Sequence, residues 1–149
     1  MDVERLDARL QRSELVLGDV AETVAPFLER RPEPVAFISF DLDLYSATAQ
    51  ALQVLEGDAE ALLPRVHCYF DDITGFTYAE FNGERLAIRE FNERNVLRRI
   101  SPIYSLNHYV PSRSAGALWV EKMHLAHIVD HPLYGRPDGL TRVVRKDLL

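Results

Sequence analysis

The chain has 149 residues, 47% of them hydrophobic, 27% charged and 9% aromatic, enough for a single globular domain and too apolar for a disordered tail. Its 23 acidic side chains outnumber 17 basic ones, and the formal charge of −6 disfavours non-specific nucleic-acid binding. One cysteine, Cys68, lies inside the apolar run 66–70, which excludes an internal disulfide and predicts a small packed hydrophobe in a reducing compartment.

The chain opens Met1-Asp2-Val3-Glu4-Arg5, charged from its second residue with no apolar segment of a secretory signal behind it. No charge-free stretch approaches the roughly 20 apolar residues of a membrane span. A soluble, cytoplasmic protein with neither membrane nor nucleic acid as partner is expected.

Val3, Leu6 and Leu10 recur at helical spacing, so residues 1–13 read as a short amphipathic helix. Leu15-Val16-Leu17 before Gly18-Asp19 predicts a short buried strand ending in a turn. Val20, Val24, Phe27 and Leu28 then mark one face of a helix, with Thr23 as its cap and Pro26 in its first turn, and the run 30–34 ends it.

Residues 35–40 are nearly continuous branched and aromatic sequence, the composition of a strand covered on both faces, and they stop at Asp41. Ser46 is placed to cap a helix through Leu52, Leu55 and Leu62, with an interruption at Gly57-Asp58 and an end at Pro64. A second apolar run, 66–70, again ends in acid at Asp71-Asp72. Strand, helix, strand implies a right-handed parallel crossover, with helices on both faces of an open sheet. A helix over 79–95 buries Ala87, Ile88 and Phe91. Stretches 100–110 and 119–129, joined by 111–116, predict an antiparallel pair at a sheet edge. The expected fold is therefore α/β: a mostly parallel, Rossmann-like partial sheet with an antiparallel carboxyl-terminal pair, in one domain over 1–149.

Ligands in open α/β sheets bind beyond the carboxyl ends of the strands, and both acidic clusters fall there. Neighbouring strands would gather Asp41, Asp43, Asp71 and Asp72 around one opening. Two carboxylates about 4 Å apart repel by roughly 4 kcal/mol at an effective dielectric near 20. Such a group needs a cation, a proton or water between its members, and its oxygens favour Mg²⁺, Ca²⁺ or Mn²⁺. The alternative is that these aspartates only end strands and form turns.

The segments Phe40-Asp41-Leu42-Asp43-Leu44-Tyr45-Ser46 and Tyr69-Phe70-Asp71-Asp72, one helix apart, resemble motifs of class I S-adenosylmethionine-dependent methyltransferases of the macrocin O-methyltransferase type. Gly18-Asp19-Val20-Ala21-Glu22-Thr23 is similar to the segment preceding the first motif, so the resemblance covers about residues 15–95. It implies Mg²⁺ on the carboxylates of Asp41, Asp71 and Asp72, a hydroxylated small-molecule substrate, and Asp41 as catalytic base. It also implies S-adenosylmethionine as cofactor, with Asp19 contacting its adenine. Asp43, Tyr45, Glu84 and His127 are the expected surrounding residues.

Departures from the family are concrete. No Gly-x-Gly loop opens a helix here, and the acidic residue that holds the ribose has no counterpart. The Gly-Gly expected before the second acidic strand is replaced by Pro64-Arg65-Val66-His67. The chain thus reads as the truncated, carboxyl-terminal portion of such an enzyme, inactive alone unless complemented. In the family, two strands separate the one matching 15–17 from the one matching 35–40. Their loss predicts either that 15–17 pairs directly beside 35–40, or that a second or complementing chain completes the sheet as in a homodimer.

His124, His127 and His131 would form a transition-metal face on a helix but point to opposite faces on a strand, the reading favoured here. One histidine, His127 or His131, stays open near the acidic opening as a proton carrier or a structural hydrogen-bond donor, with the structural role favoured. Glu80, Asn82 and Glu84 are within reach of it, whereas Phe81 and Trp119 are read as packing and Arg142 to Lys146 as solvated surface. Two other classes stay open: a non-catalytic interaction domain, and a hydrolase acting through metal-bound water.

Overall fold

Two apolar runs of matching length, each stopped by acid, produce the central strands of the molecule. The computed structural model describes residues 2–30, 33–74, 79–111 and 117–135. Strand β1 (Val35–Phe40) runs parallel to β2 (Leu62–Phe70), and β4 (Met123–Ile128) lies antiparallel between β2 and β3 (Arg98–Pro102). The order β1-β2-β4-β3 is that of an α/β protein with a four-stranded mixed sheet. β1, β2 and β3 share one direction, but only β1 and β2 pair in parallel.

The helices are α1 (Val3–Asp7), α2 (Val20–Glu29), α3 (Tyr45–Ala51), α4 (Gly83–Arg94) and α5 (Trp119–Lys122). Helix α1 is shorter than expected because Leu10 falls outside it, leaving only Val3 and Leu6 on its apolar stripe. The strand expected at 15–17 does not form. Val16 and Leu17 stay 47% and 57% exposed, and a run of three apolar residues is too short to hold a ladder without a neighbour. Gly18, at φ +142°, turns the chain straight into α2. The cap of α2 is Asp19, whose carboxylate accepts the Ala21 N–H at 2.9 Å, while the Thr23 hydroxyl donates to the Asp19 carbonyl. Pro26 sits beyond the middle of α2 rather than in its first turn.

Ser46 does not cap α3: Leu44 holds that position without a side-chain bond, and the buried Thr48 hydroxyl donates back to the Leu44 carbonyl at 3.2 Å. The long helix expected from Ser46 breaks into α3 and two short 3-10 turns, Leu52–Glu56 and Ala59–Ala61, on either side of Gly57-Asp58. Pro64 does not end that helix but lies within β2, whose pairing with β1 shifts register between Val35 and Phe37. A proline is tolerated at such an irregularity because the ladder bond is already missing.

Alternation decides which face is buried. Phe40, Leu62, Val66, Cys68, Phe70, Ile100, Ala126 and Ile128 form one core with Leu52, Leu55, Ala87, Ile88 and Phe91 from α4 and the 3-10 turn after α3. The opposite sheet face carries Phe37, 55% exposed, and Leu63, 41% exposed. The expectation of helices covering both faces therefore fails among the described residues, and β1 is an edge strand covered on one side. Phe81, expected to pack, is 75% exposed.

The carboxyl-terminal pair forms as an antiparallel ladder at one edge of the sheet, with β3 outermost and β4 inside it, but over fewer residues than the stretches 100–110 and 119–129 suggested. Residues 103–111 and 117–122 lie outside the sheet, with a 3-10 turn at Leu106–His108 and α5 just before β4. The joining residues 112–116, the helix-ending residues 31–32 and the tail Arg142 to Lys146 lie outside the described residues.

Two side chains fasten β3. Arg98 grips Asp130 with Nε and Nη2 at 2.8 to 3.2 Å and gives Nη1 to the Leu55 and Gly57 carbonyls. Asn92 of α4 accepts the Ile100 N–H at 2.7 Å and donates to the Ile100 carbonyl at 2.8 Å, occupying the outer edge of β3 with an amide. Asn92→Ala leaves both backbone groups without these partners and should lower stability by about 2 kcal/mol, read as a reduced urea midpoint at unchanged slope.

Candidate functional site

The carboxyl ends of β1 and β2 are locked level with one another. Phe40 and Phe70 are register partners whose rings stack at 4.5 Å and 5°, and the Asp71 N–H donates to the Phe40 carbonyl at 2.9 Å. Asp41-Leu42-Asp43 and Asp71-Asp72 leave the sheet from this shared end, so the gathering of acids expected from the two strand ends is present.

Within the cluster the four aspartates differ. Asp72 is pushed above the usual carboxylate range, first by burial and then by the charges of Asp43 and Asp71, with Asp41 adding less. One oxygen of Asp72, Oδ2, is buried without a hydrogen-bond partner among the described residues. Asp71 is held below its ordinary value because Lys122 and the Tyr69 hydroxyl both donate to its Oδ1, at 2.8 and 2.9 Å. Lys122 is raised in turn, chiefly by that same bond.

Glu84 lies deepest. Asn82 caps α4 with a bond to the Gly83 N–H, which places Glu84 in the first turn, aimed back at the β2 end. It is 2% exposed, and neither carboxyl oxygen has a hydrogen-bond partner among the described residues. Burial, reinforced by the Asp72 charge and offset in part by the Asp72 N–H, pushes it up to about 8. Of the three residues placed within reach of the opening, Glu84 is the one that faces it; Glu80 is paired with Arg85 at 2.6 Å.

Other expected members lie elsewhere or are otherwise engaged. The Tyr45 hydroxyl donates to Glu90 and so ties α3 to α4. Asp19 is occupied by its capping bond. His127 pairs in register with Arg65, roughly 20 Å from Asp71 along the strand at about 3.3 Å per residue, and its Nδ1 meets the Tyr134 hydroxyl at 2.9 Å. Burial and the Arg65 charge lower its pKa. His131 accepts the Leu133 N–H in a turn farther along. The expectation of His127 or His131 at the opening is thus overturned, because β4 runs antiparallel and carries both away from it. His124, nearer the acidic end opposite Cys68, is buried against the edge of the Phe70 ring. His124 and His127 fall on opposite sheet faces, as strand alternation requires. Cys68 is buried and its thiol is pushed up to about 12, so it packs as a neutral hydrophobe.

Lys122 is the member of the cluster that sequence patterning overlooked, since it lay in a stretch read as strand. Its signal is positional: it precedes Met123, which pairs with Tyr69, two residues before Asp71. Two cavities flank this end of the sheet without being lined by the aspartates. One, about 630 Å³, is bordered by Ile73, Arg85, Asn92, Tyr104, Glu121 and His124. The other, about 310 Å³, is bordered by Ile103, Tyr104, Leu106, Val120, Glu121 and Met123.

As metal ligands, Asp41, Asp43 and Asp72 offer hard oxygen donors, and one oxygen of Asp72 and both of Glu84 are buried without a hydrogen-bond partner among the described residues. The bonds from Lys122 and Tyr69 to Asp71 both fall on Oδ1, and its side chain stays 41% exposed. Among the described residues no three acidic, histidine or cysteine side chains converge at coordination distance. No helix of the described residues is long and apolar enough to cross a membrane. No family model, curated protein or solved structure matches the chain.

Glu84 makes stability depend on pH with a definite sign. Its folded value of about 8 exceeds the ordinary 4.5, so its contribution is intact below pH 4.5 and is lost as the unfolded chain ionises between about 4.5 and 8. The slope reaches up to about 1.4 kcal/mol per pH unit. Glu84→Gln should flatten that decline and raise the melting temperature at pH 8 more than at pH 5, measured by calorimetry at both.

Proposed function

We propose that this chain carries the cation- and hydroxyl-binding side of an O-methyltransferase-type site, in a Rossmann-like domain that acts on a hydroxylated small molecule. The observation that carries the reading is the level placement of Asp41, Asp43, Asp71 and Asp72 beyond parallel β1 and β2, with buried, unpartnered Glu84 behind them. Asp41, Asp71 and Asp72 would hold Mg²⁺. Bound there, the cation would acidify a substrate hydroxyl, and S-adenosylmethionine would supply an electrophilic methyl.

The residues of the chain then divide the work. Asp41 is the candidate base that takes the hydroxyl proton, since it is exposed at the β1 end and engages neither lysine nor tyrosine. Asp72, pushed toward its neutral form by burial and neighbouring charge, lies beside Asp43. Glu84, neutral at physiological pH, keeps the floor of the cluster from accumulating charge. Asp19 remains the proposed adenine contact, at the start of α2. Without a Gly-x-Gly loop in the chain, the proposal assigns it the acceptor side only. The methionine and ribose end of the cofactor is to be held by other residues, supplied through the free edge of β1 by a second or complementing chain.

Calorimetry of the chain with Mg²⁺ and S-adenosylhomocysteine tests this. Cation binding that falls at least tenfold in Asp41→Asn and again in Asp72→Asn supports the site, and unchanged affinity in both rejects it. Cofactor binding with methyl transfer to a hydroxylated acceptor supports the full reading. Mg²⁺-dependent hydrolysis without cofactor binding would replace it with a hydrolase. Sedimentation over a concentration series should show self-association, and a monomer throughout would exclude a homodimer formed through β1.

A further inference from the structure

The cavity of about 630 Å³ lies between α4 and the β3–β4 pair, and its charged lining is balanced: Arg85, Arg89 and Arg99 stand against Glu80, Glu93 and Glu121. Two ion pairs form within this set, Arg85 with Glu80 at 2.6 Å and Arg89 with Glu93 at 3.7 Å. Arg99 and Glu121 have no ion-pair partner among the described residues, so the cavity keeps one unmatched cation and one unmatched anion. His124 adds an acceptor. It is 4% exposed yet borders the cavity, and its Nδ1 lies 3.2 Å from the Lys122 carbonyl. A carbonyl only accepts, so Nδ1 carries the proton and Nε2 keeps its lone pair. That Nε2 has no hydrogen-bond partner among the described residues and is not sealed inside the core. Burial lowers the pKa of His124, with the Lys122 carbonyl opposing and the charge of Arg85 adding to it, so the ring is neutral. A covered acceptor that opens onto a cavity is matched by a donor on whatever fills it.

The second cavity, about 310 Å³, shares Pro102, Tyr104 and Glu121 with the first and is otherwise walled mainly by apolar side chains, among them Ile103, Leu106, Val120 and Met123. Glu121 therefore stands at the junction of a charged lobe and an apolar one. We propose that the joined cavities bind a free α-amino acid with a large apolar side chain: its carboxylate toward Arg99 and Arg85, its ammonium toward Glu121 and His124 Nε2, and its side chain in the smaller lobe. An ammonium brings three donors, enough for a carboxylate and an imidazole together, and a guanidinium fork suits a carboxylate. A simple carboxylic acid anion would face Glu121 and leave His124 without a donor. A simple amine would leave Arg99 unmatched, and a quaternary ammonium zwitterion has no N–H for the imidazole. None of Asp41, Asp43, Asp71, Asp72 and Glu84 borders either cavity, so this site stands apart from the cation reading.

The experiment is calorimetry of the full chain, without Mg²⁺ and at neutral pH, against L-phenylalanine, L-alanine, hydrocinnamate and phenethylamine. L-phenylalanine should bind at least tenfold more tightly than each of the others, which lack in turn the apolar body, the ammonium and the carboxylate. Glu121→Gln should weaken L-phenylalanine at least tenfold and narrow its lead over hydrocinnamate, whereas Arg99→Gln should narrow its lead over phenethylamine. Both residues are exposed, and urea midpoints confirm that each variant is folded. Binding of none of the four compounds overturns the proposal. Equal binding of L-phenylalanine, hydrocinnamate and phenethylamine marks an apolar surface without amino-acid recognition and overturns it too, as does an L-phenylalanine affinity unchanged in both variants.

Discussion

The stacked pair Phe40 and Phe70 sets the geometry on which the rest depends. Parallel strands can slip, and in a sheet with one buried face each one-residue slip exchanges core for solvent. Stacking of two buried rings at 4.5 Å, together with the bond from the Asp71 N–H to the Phe40 carbonyl, penalises every register but one. Because the acids follow these phenylalanines directly, the contact that seals the end of the core also decides that Asp41 and Asp71 emerge side by side. His124 closes the arrangement by presenting its ring edge-on to Phe70, which is why that histidine is buried, has a lowered pKa and is unavailable to the opening.

Placing so many carboxylates together is costly, and the molecule offsets the repulsion in three distinct ways. Lys122 and Tyr69 stabilise Asp71 as an anion at the rim. Asp72, half-buried in the middle, is pushed toward its neutral form by burial and by its acidic neighbours. Glu84 remains protonated at the floor, where burial outweighs the favourable end of the α4 dipole. Charge is thus graded from ionised at the surface to neutral in the interior. That gradient follows from solvation alone, since the penalty for an anion grows with depth. It also means that the cluster is quiet as it stands.

Patterning in the sequence made the strand ends legible because an uninterrupted apolar run stopped by aspartate is a local signal. The same holds for the buried face of α4, where Ala87, Ile88 and Phe91 recur with helical period, and for the opposite orientations of His124 and His127. What could not be read depends on partners distant in the chain. Leu15-Val16-Leu17 looks like a strand until a neighbouring edge is required of it. Pro64 reads as a terminator unless the register shift against β1 is known. Lys122 becomes meaningful only once antiparallel pairing sets Met123 beside Tyr69, and the placement of β4 inside the sheet is what removes His127 from the site. Thr23 and Ser46 were reasonable caps by residue type, but the caps went to Asp19, whose carboxylate accepts the Ala21 N–H, and to Leu44, where backbone geometry alone begins the helix.

The two edges of the sheet are treated differently, and this asymmetry bears on how the site would be completed. At β3, Asn92 spends both ends of its amide on Ile100, and Arg98 binds the strand to Asp130 and to the carbonyls of the 3-10 turn. An added strand there would have to displace a bidentate side chain. At β1 the outer ladder has no strand beside it, and Phe37 stays more than half exposed on the uncovered face. Unprotected edges with apolar faces invite pairing, and proteins that do not use them blunt them with charge, proline or bulges. The bulge opposite Pro64 lies at the start of β1, leaving the segment from Phe37 to Phe40 regular up to the acids. A strand added at that edge would therefore be aligned by the same Phe40 end that aligns β2, and its own carboxyl-terminal loop would open onto Asp41 and Asp43.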